Sequence, residues 1–222
     1  MKKGKLIVLE GACDGIGKTT QYNLLINRLK KDKNIVYHHH FPSYNTYQGE
    51  AVTRYLKGEY GSLNDLSPYF INSLYANDRA ITWFTKLKKL YDEGNIILLD
   101  RYTTSSLIYQ AALIDDIEEK KKFIDYVIDF EYNKLGIQRP DQVIFLTAPF
   151  DLVNEMRNKR VDNDGVINDI YERDLDVMKK VYDNALFVAD YLSFDKIKCN
   201  DGNKMRDIDD IHEEVYRLVK KK

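Results

Sequence analysis

Short apolar runs, several of them rich in β-branched residues, alternate along the 222-residue chain with longer segments of helical periodicity. The runs predict five strands, at residues 5–10, 34–40, 95–100, 142–147 and 196–199. Strands that alternate with helices in this way are typical of a parallel sheet covered on both faces. The expected fold class is therefore α/β, with a five-stranded parallel sheet between two layers of helices.

Helical patterns fill the intervals between these runs. Ser67-Pro68 is the clearest helix start, because serine caps helices and proline suits the first turn, and Gly94 is placed to end that helix after residue 89. The other helical patterns lie at residues 19–31 and at about residues 117–134, 150–160, 168–192 and 207–221.

Residues 161–167 form a polar, glycine-containing segment that follows Arg157, Lys159 and Arg160. This composition is typical of a mobile loop that closes over a ligand, so we expect a short basic lid at about residues 157–170. The sequence contains no internal repeat and no low-complexity linker. Residues 1–222 are therefore expected to form a single domain.

Composition narrows the class of protein. Hydrophobic residues make up 44% of the chain, and 34 basic against 35 acidic side chains give a formal net charge of −1. This balance favours neither a nucleic-acid partner nor a membrane surface, so any anion has to be bound locally. The two cysteines, Cys13 and Cys199, are too few for a disulfide framework or a zinc cluster, and we expect a cytoplasmic location.

Residues 10–21 have the composition of a phosphate-binding loop. Glycines let successive N–H groups point at an anion, and the next helix adds the positive end of its dipole. Lys18 supplies a mobile charge and the Thr19 hydroxyl a ligand for Mg²⁺. A glycine-rich turn with a chance Lys-Thr pair is the alternative, but the order of strand, glycines and helix favours nucleotide binding. The expected phosphate-binding residues are Gly15, Gly17, Lys18, Thr19 and Thr20.

The spacing of this loop is unusual. The common pattern places four residues between the first glycine and the Gly-Lys pair, whereas five separate Gly11 from Gly17. We expect the extra residue to distort the early part of the loop, at Ala12 and Cys13.

Asp100 and Arg101 follow the third predicted strand, at the edge where open α/β sheets bind ligands. Asp100 is expected to orient Mg²⁺, directly or through water, and the planar guanidinium of Arg101 to contact a phosphate. The alternative is a strand-end ion pair without a ligand.

Tyr75 and Arg79 lie four residues apart on the helix that begins at Ser67-Pro68. They share a helix face, so a ring and a guanidinium can meet one planar ligand. A core tyrosine with a solvated arginine is the alternative. For His38, His39 and His40 we expect a structural role, because adjacent strand residues alternate faces and at most two of the three point the same way.

Together these residues resemble the thymidylate kinases, the nucleoside monophosphate kinases that phosphorylate dTMP with ATP. The resemblance extends from residue 5 to about residue 218. It is carried by Leu9-Glu10-Gly11, Asp14-Gly15-Ile16-Gly17-Lys18-Thr19-Thr20-Gln21, Phe41-Pro42, Tyr75-Ala76-Asn77-Asp78-Arg79, Asp100-Arg101-Tyr102, Ser105, Tyr109-Gln110, Pro140-Asp141, Ala148-Pro149, Arg157, Arg160 and Tyr171-Glu172.

The resemblance implies a P-loop kinase three-layer fold, conversion of dTMP to dTDP with ATP and Mg²⁺, and a homodimer. It implies that Tyr75 stacks on thymine and that Arg79 hydrogen-bonds the pyrimidine edge. It also implies that Asp14 faces the acceptor sugar and phosphate and that Arg101 holds the acceptor phosphate. The other implied acceptor contacts are Ser105, Tyr109 and Gln110 in the pocket wall and Tyr171 beside the lid.

Two departures from the family pattern change these expectations. Related enzymes carry an arginine after Phe-Pro that helps to hold the acceptor phosphate, and Tyr44 stands in that place here. Arg101 is therefore expected to carry more of this binding. Residues 14–17 also lack an arginine, and in that branch of the family the transition-state cation comes from the lid. The expected catalytic residues are Asp14, Lys18, Arg101, Arg157 and Arg160.

Two alternatives to a dTMP kinase stay open. One is another nucleotide or nucleoside kinase, because selectivity for thymine and for deoxyribose cannot be deduced from one chain. The other is a catalytically weakened nucleotide-binding homologue, because of the two departures. A GTPase is not expected, since none of the Asn-Lys pairs continues as Asn-Lys-x-Asp.

Overall fold

The computed structural model describes residues 3–63, 65–164, 171 and 174–221, with backbone alone for residues 160–164. The strands are β1 Lys5–Gly11, β2 Val36–His40, β3 Ile96–Asp100, β4 Gln142–Thr147, β5 Asp195–Lys198, β6 Asn200–Asp201 and β7 Lys204–Met205. The first five form one parallel sheet in the order β2-β3-β1-β4-β5, and the last two form an antiparallel hairpin. The predicted parallel sheet of five strands is confirmed.

Helices cover both faces of this sheet. They are α1 Lys18–Lys31, α2 Glu50–Lys57, α3 Pro68–Thr82, α4 Lys88–Asp92, α5 Thr103–Tyr109, α6 Ile117–Ile128, α7 Phe150–Asp164, α8 Leu175–Tyr191 and α9 Ile208–Lys221. Shorter turns are π-helical at Trp83–Leu87 and Asp129–Lys134 and 3₁₀ at Ala111–Leu113.

Successive residues of β1 point to opposite faces of the sheet and enter different parts of the core. Ile7 packs on one face in a cluster with α1 and α9, where Leu25 and Val215 have no exposed surface. Val8 packs on the other face against Trp83 of the π-helical turn. A third cluster joins α5, α6 and α8. The sheet is thus the middle of three layers.

The register of the strands decides where polar groups meet. β1 lies in the middle of the sheet, and its Leu9 is paired with Asp100 at the end of β3. On the other side of β3, Asp100 is paired with His40 at the end of β2. The loop after β1 and the carboxyl ends of β2 and β3 therefore lie at one edge.

The helix predicted to start at Ser67-Pro68 begins there. Ser67 Oγ accepts a hydrogen bond from the Tyr69 N–H at 3.3 Å, which caps the helix. α3 then continues through a π-helical turn into α4, and Gly94 follows in a left-handed conformation with φ of 88°. The predicted continuous helix is therefore interrupted by a π-helical turn, a feature that is frequent near functional sites.

The loop predicted over residues 161–167 is wrong in its first part. α7 extends to Asp164, so residues 161–164 are helical rather than a loop. Neither glycine nor proline occurs in α7 to end it earlier, and the first glycine is Gly165. Residues 165–170 of the expected lid lie outside the described residues.

The start of α8 also differs from the prediction of residue 168. α8 begins at Leu175, because the Asp174 carboxylate accepts hydrogen bonds from the N–H groups of Asp176 and Val177 at 2.8 and 3.3 Å. α2 and α5 were not predicted. They have eight and seven residues, too few for a clear helical period.

Candidate active site

A cleft of about 640 Å³ opens at the edge of the sheet where β1, β2 and β3 end. Every residue that the sequence predicts for the site lines this cleft, apart from Arg160. The side chain of Arg160 lies outside the described residues. The cleft also includes His40, Leu56, Ser106 and Met156, which the sequence analysis did not assign to the site.

The phosphate loop joins β1 to α1 at one end of the cleft. Gly15 and Gly17 have φ of 97° and 86°, a left-handed conformation that favours glycine. Among the described residues, no side chain caps α1, and Thr19 and Thr20 are exposed in its first turn. The free N–H groups and the dipole of such a helix end form an anion-binding site.

The extra residue of the loop is accommodated inside the protein. The Ala12 N–H still donates to the Leu146 carbonyl oxygen of β4 at 3.0 Å, so the chain leaves the sheet only after this hydrogen bond. Ala12 and Cys13 are buried in two different hydrophobic clusters. Ala12 is therefore still hydrogen-bonded to β4, and the loop leaves the sheet after it.

Asp100 lies between two basic side chains. Its Oδ1 is 3.1 Å from Lys18 Nζ, and its Oδ2 is 2.9 Å from His40 Nδ1. Burial opposes the charged carboxylate, but the His40 hydrogen bond and the charges of Lys18 and Arg101 outweigh it and hold the pKa of Asp100 well below its usual value. Asp100 is therefore an anion, and its ion pair fixes the position of the Lys18 ammonium group in the phosphate loop.

Arg101 is held in a strained backbone conformation. Its φ is 65°, which is unusual for a residue with a side chain. The Nη2 atom donates to both oxygens of Asp14, at 2.6 Å for Oδ2, and the guanidinium lies 5.1 Å from the ring centre of Tyr109. Burial would lower the pKa of Arg101, but the negative charges of Asp14 and Glu10 raise it well above its usual value. Asp14, Arg101 and Tyr109 therefore lie together in the cleft.

Glu10 is a buried carboxylate that the sequence analysis did not assign to the site. It has no exposed surface, and its Oε2 accepts hydrogen bonds from Thr104 Oγ1 at 2.9 Å and Ser105 Oγ at 2.6 Å. These bonds fix the first turn of α5 beneath the cleft. A charged residue at the end of the apolar run 6–9 of β1 is the sequence signal that could have indicated it.

The far end of the cleft contains Tyr75 and Arg79. The Arg79 guanidinium lies 5.9 Å from the ring centre of Tyr75, so the two side chains share a face as predicted. Arg79 is only 1% exposed. Its Nε and Nη2 donate to the two oxygens of Glu131 at 2.7 and 2.6 Å. The alternative of a solvated arginine is therefore wrong, and the sequence analysis missed Glu131.

A tyrosine cluster closes one wall near Tyr171. Tyr55 of α2 donates to the Tyr171 hydroxyl at 2.8 Å, and Gln110 Nε2 donates to the same oxygen at 2.9 Å. The ring of Tyr109 meets Tyr171 edge to face, with centroids 5.3 Å apart. Gln110 Oε1 is buried and has no hydrogen-bond partner among the described residues. The described residues therefore leave this acceptor unused.

The remaining walls come from the β2 end and from α7. Tyr44 stacks on His40, with ring centroids 5.9 Å apart and planes at 25°. Arg157 is 8% exposed and contacts the phosphate loop. A Cβ atom on Gly15 would lie 2.9 Å from Arg157 Cβ, so a glycine at position 15 allows α7 to approach this closely.

The residues predicted for Mg²⁺ suit this ion. Among the described residues, no group of three or more histidine, cysteine, aspartate or glutamate side chains is arranged to hold a metal. Mg²⁺ does not need such a group, since it keeps several waters and binds one or two protein oxygens with substrate phosphates. Apart from its ion pair with Lys18 at 3.1 Å, the buried Asp100 Oδ1 has no partner among the described residues, and Thr19 lines the same cleft.

None of the described helices is both long enough and apolar enough to cross a membrane.

Comparisons with known proteins all identify similarity to the same family. A sequence profile described as "Thymidylate kinase" matches residues 9–215. The thymidylate kinase of Plasmodium falciparum (isolate 3D7) is 28% identical, over 99% of this chain and 91% of the relative. The probable thymidylate kinase of Thermococcus onnurineus (strain NA1) is 31% identical, over 96% of each chain. A solved structure of the Candida albicans thymidylate kinase has the same fold, with a TM-score of 0.74, 22% identity, and coverage of 99% and 92%.

His39 lies in β2, directly before the cleft residue His40. It makes the stability of the folded protein depend on pH. Its Nε2 lies 2.8 Å from Ser43 Oγ, and burial lowers its pKa from 6.5 to about 4. The unfolded chain binds this proton near pH 6.5 and the folded protein only near pH 4. The contribution of His39 to the free energy of unfolding should therefore fall by about 1–3 kcal/mol as pH decreases across this interval.

Urea denaturation of the wild type and of His39→Gln at several pH values measures this contribution. The glutamine keeps a polar nitrogen but does not titrate, so the stability difference between the two proteins should change in favour of His39→Gln as pH falls. His38→Gln, at an exposed position of the same strand, is the matched control. A pH-independent difference for His39→Gln would contradict the assignment.

Proposed function

The chain belongs to the thymidylate kinase family, and from this premise we propose that the cleft converts dTMP and ATP to dTDP and ADP. The observation that carries the proposal is the meeting of two half-sites in one cleft. Lys18 and the exposed N-terminus of α1 form the donor half. Arg101, paired with Asp14, belongs to the acceptor half. A kinase for a phosphorylated acceptor needs both halves.

The donor half binds the phosphates of ATP. The N–H groups of the phosphate loop and of the first turn of α1 surround the anion, and Lys18 carries a positive charge to the outer phosphates. Asp100 keeps Lys18 in place, at 3.1 Å. Thr19 and Asp100 would hold Mg²⁺, which when bound neutralises negative charge on the phosphates.

The acceptor half binds the phosphate of dTMP by charge and its base by stacking and hydrogen bonding. Arg101, already oriented by Asp14 and by its backbone, holds the acceptor phosphate. Tyr75 stacks on thymine, and Arg79 donates to a base carbonyl oxygen. The unpartnered Gln110 Oε1 suits an N–H group of the base. The remaining acceptor contacts are Tyr44, Ser105, Tyr109 and Tyr171.

The transfer step needs alignment and charge neutralisation rather than covalent chemistry by the protein. Lys18 stabilises negative charge on the transferred phosphoryl group from the donor side. We assign the second cation to the lid, at Arg157 or Arg160, because the phosphate loop contains no arginine. The packing of Arg157 against Gly15 supports this assignment.

We also propose that the enzyme is a cytoplasmic homodimer that binds neither nucleic acid nor membrane. The family resemblance implies the dimer. Phe70 and Phe84, which are 44% and 53% exposed on α3 and its π-helical turn, support an apolar contact there. The buried thiols of Cys13 and Cys199, which form no disulfide with each other, support a reducing compartment.

A coupled assay for ADP tests the proposed reaction. ADP production by the wild type should depend on added dTMP and should be weaker with dUMP, CMP or thymidine, because the cleft matches a thymine base and an acceptor phosphate. Lys18→Ala should lose about 10²-fold or more in kcat, since it removes a cation from the transferring phosphoryl group. Equal ADP production with and without dTMP would overturn the proposal.

Replacement of the lid arginines tests the source of the transition-state cation. Arg157→Ala or Arg160→Ala should lower kcat by about 10³-fold while dTMP binding persists, because such a cation acts mainly in the transition state. Arg139→Ala, at an exposed position away from the cleft, is the control for loss of an arginine. Wild-type turnover in both lid variants would contradict the assignment.

A further inference from the structure

Glu131 is a fully buried carboxylate whose hydrogen bonds converge on one side chain of the cleft. It follows α6 in the π-helical turn Asp129–Lys134 and has no exposed surface. Its Oε1 accepts from Arg79 Nη2 at 2.6 Å, and its Oε2 accepts from Arg79 Nε at 2.7 Å and from Thr103 Oγ1 at 2.9 Å. Both oxygens are therefore engaged, and two of the three donors belong to Arg79.

Stability alone does not account for this arrangement. Removing two charges from water is costly, and apolar side chains of similar volume often replace a buried ion pair without loss of stability. The same position continues the apolar face of α6, where Phe123, Ile124 and Val127 are buried. A hydrophobic residue at position 131 would suit that face. The carboxylate therefore points to a requirement at Arg79, the member of the pair that lines the cleft.

The geometry of the pair leaves one end of the guanidinium for a ligand. Glu131 occupies Nε and one hydrogen of Nη2, and Ser106 Oγ lies 2.8 Å from Nη2. Nη1 has two hydrogens, and the described residues offer it one long hydrogen bond, to the Tyr102 carbonyl oxygen at 3.4 Å. A donor on Nη1 is thus available, in a plane that Glu131 fixes.

We propose that Glu131 is a positioning residue for base recognition: it fixes the plane of Arg79 and balances its charge, so that Nη1 presents a neutralised N–H donor to a carbonyl oxygen of the acceptor base. This inference rests on the proposed function, because it takes a pyrimidine nucleotide as the acceptor. A fixed N–H donor can hydrogen-bond the carbonyl oxygen at position 4 of thymine. It disfavours cytosine, whose amino group at that position would leave two donors facing each other.

Glu131→Gln keeps the size of the side chain and removes its charge and one acceptor. The KM for dTMP should rise about tenfold or more, because Arg79 loses its fixed plane, while kcat and the KM for ATP stay within about threefold. The ratio of kcat/KM for dTMP over dCMP should fall. Glu119→Gln, on the preceding helix α6, is the matched control, since Glu119 is exposed and pairs with Lys122 at the surface.

The conservative variant Glu131→Asp, together with the separate effects on kcat and KM, distinguishes a positioning role from a structural one. Glu131→Asp retains the carboxylate and should recover part of the lost affinity for dTMP. If Glu131→Gln lowered kcat and raised the KM for both substrates together, the residue would be structural and the inference overturned. The same conclusion would follow if Glu131→Asp were no better than Glu131→Gln.

A double-mutant cycle with Arg79 tests whether Glu131 acts through that arginine. Arg79→Met removes the base contact, and in that background Glu131→Gln should change the KM for dTMP by less than about twofold. If the effects of the two substitutions on the KM for dTMP multiplied in the double variant, the inference would be overturned. Arg79→Met with Glu131→Leu replaces the pair by apolar side chains and should fold with undiminished ATP binding. It should nevertheless lose selectivity for dTMP over dCMP, and retained selectivity would also count against the inference.

These outcomes are distinguishable from a failure of the proposed function. A wild-type enzyme that produces ADP with no pyrimidine monophosphate would overturn both. A wild type that is active and selective for dTMP, with an unchanged KM in Glu131→Gln, would overturn the role of Glu131 alone.

Discussion

Parallel pairing of β1 with β3 places Leu9 opposite Asp100, and the geometry of the whole cleft follows from this register. The phosphate loop leaves the sheet beside the Asp100-Arg101 segment, so Lys18 reaches Asp100 and Arg101 reaches Asp14. Groups that are more than eighty residues apart in sequence thereby form one charged centre. Both strands are buried along almost their whole length, so the centre is anchored in the core of the sheet.

Three carboxylates organise the cations of the cleft: Asp100 and Glu131 are buried, and Asp14 is partly exposed. Asp100 orients Lys18, Asp14 orients Arg101, and Glu131 orients Arg79. Glu10 fixes the start of α5 between them. Donors that are oriented before the substrate arrives need no reorganisation during the reaction, which is the main source of electrostatic catalysis. The strained backbone of Arg101, with φ of 65°, is typical of such a preorganised site.

Local patterns in the sequence predicted the five strands, the phosphate loop and a cleft at their carboxyl ends. They predicted less where the signal depends on tertiary contact. α5 is too short to show a period, and Glu131 could be matched to Arg79 only after α6 had been packed beside α3. His40 was assigned a structural role because its neighbours alternate faces, and only the pairing of β2 with β3 brings it to Asp100. The expected lid loop is helical to Asp164, because nothing in α7 ends the helix before Gly165.

A crystal structure with dTMP and a non-hydrolysable ATP analogue would decide whether the cleft is a two-substrate kinase site. We predict that the dTMP phosphate lies against Arg101, its base lies between Tyr75 and Gln110 with a carbonyl oxygen at Arg79, and Lys18 contacts the outer phosphates of the analogue. A structure in which Lys18 turns away from the phosphates with nucleotide bound, or in which dTMP binds outside this cleft, would contradict the account.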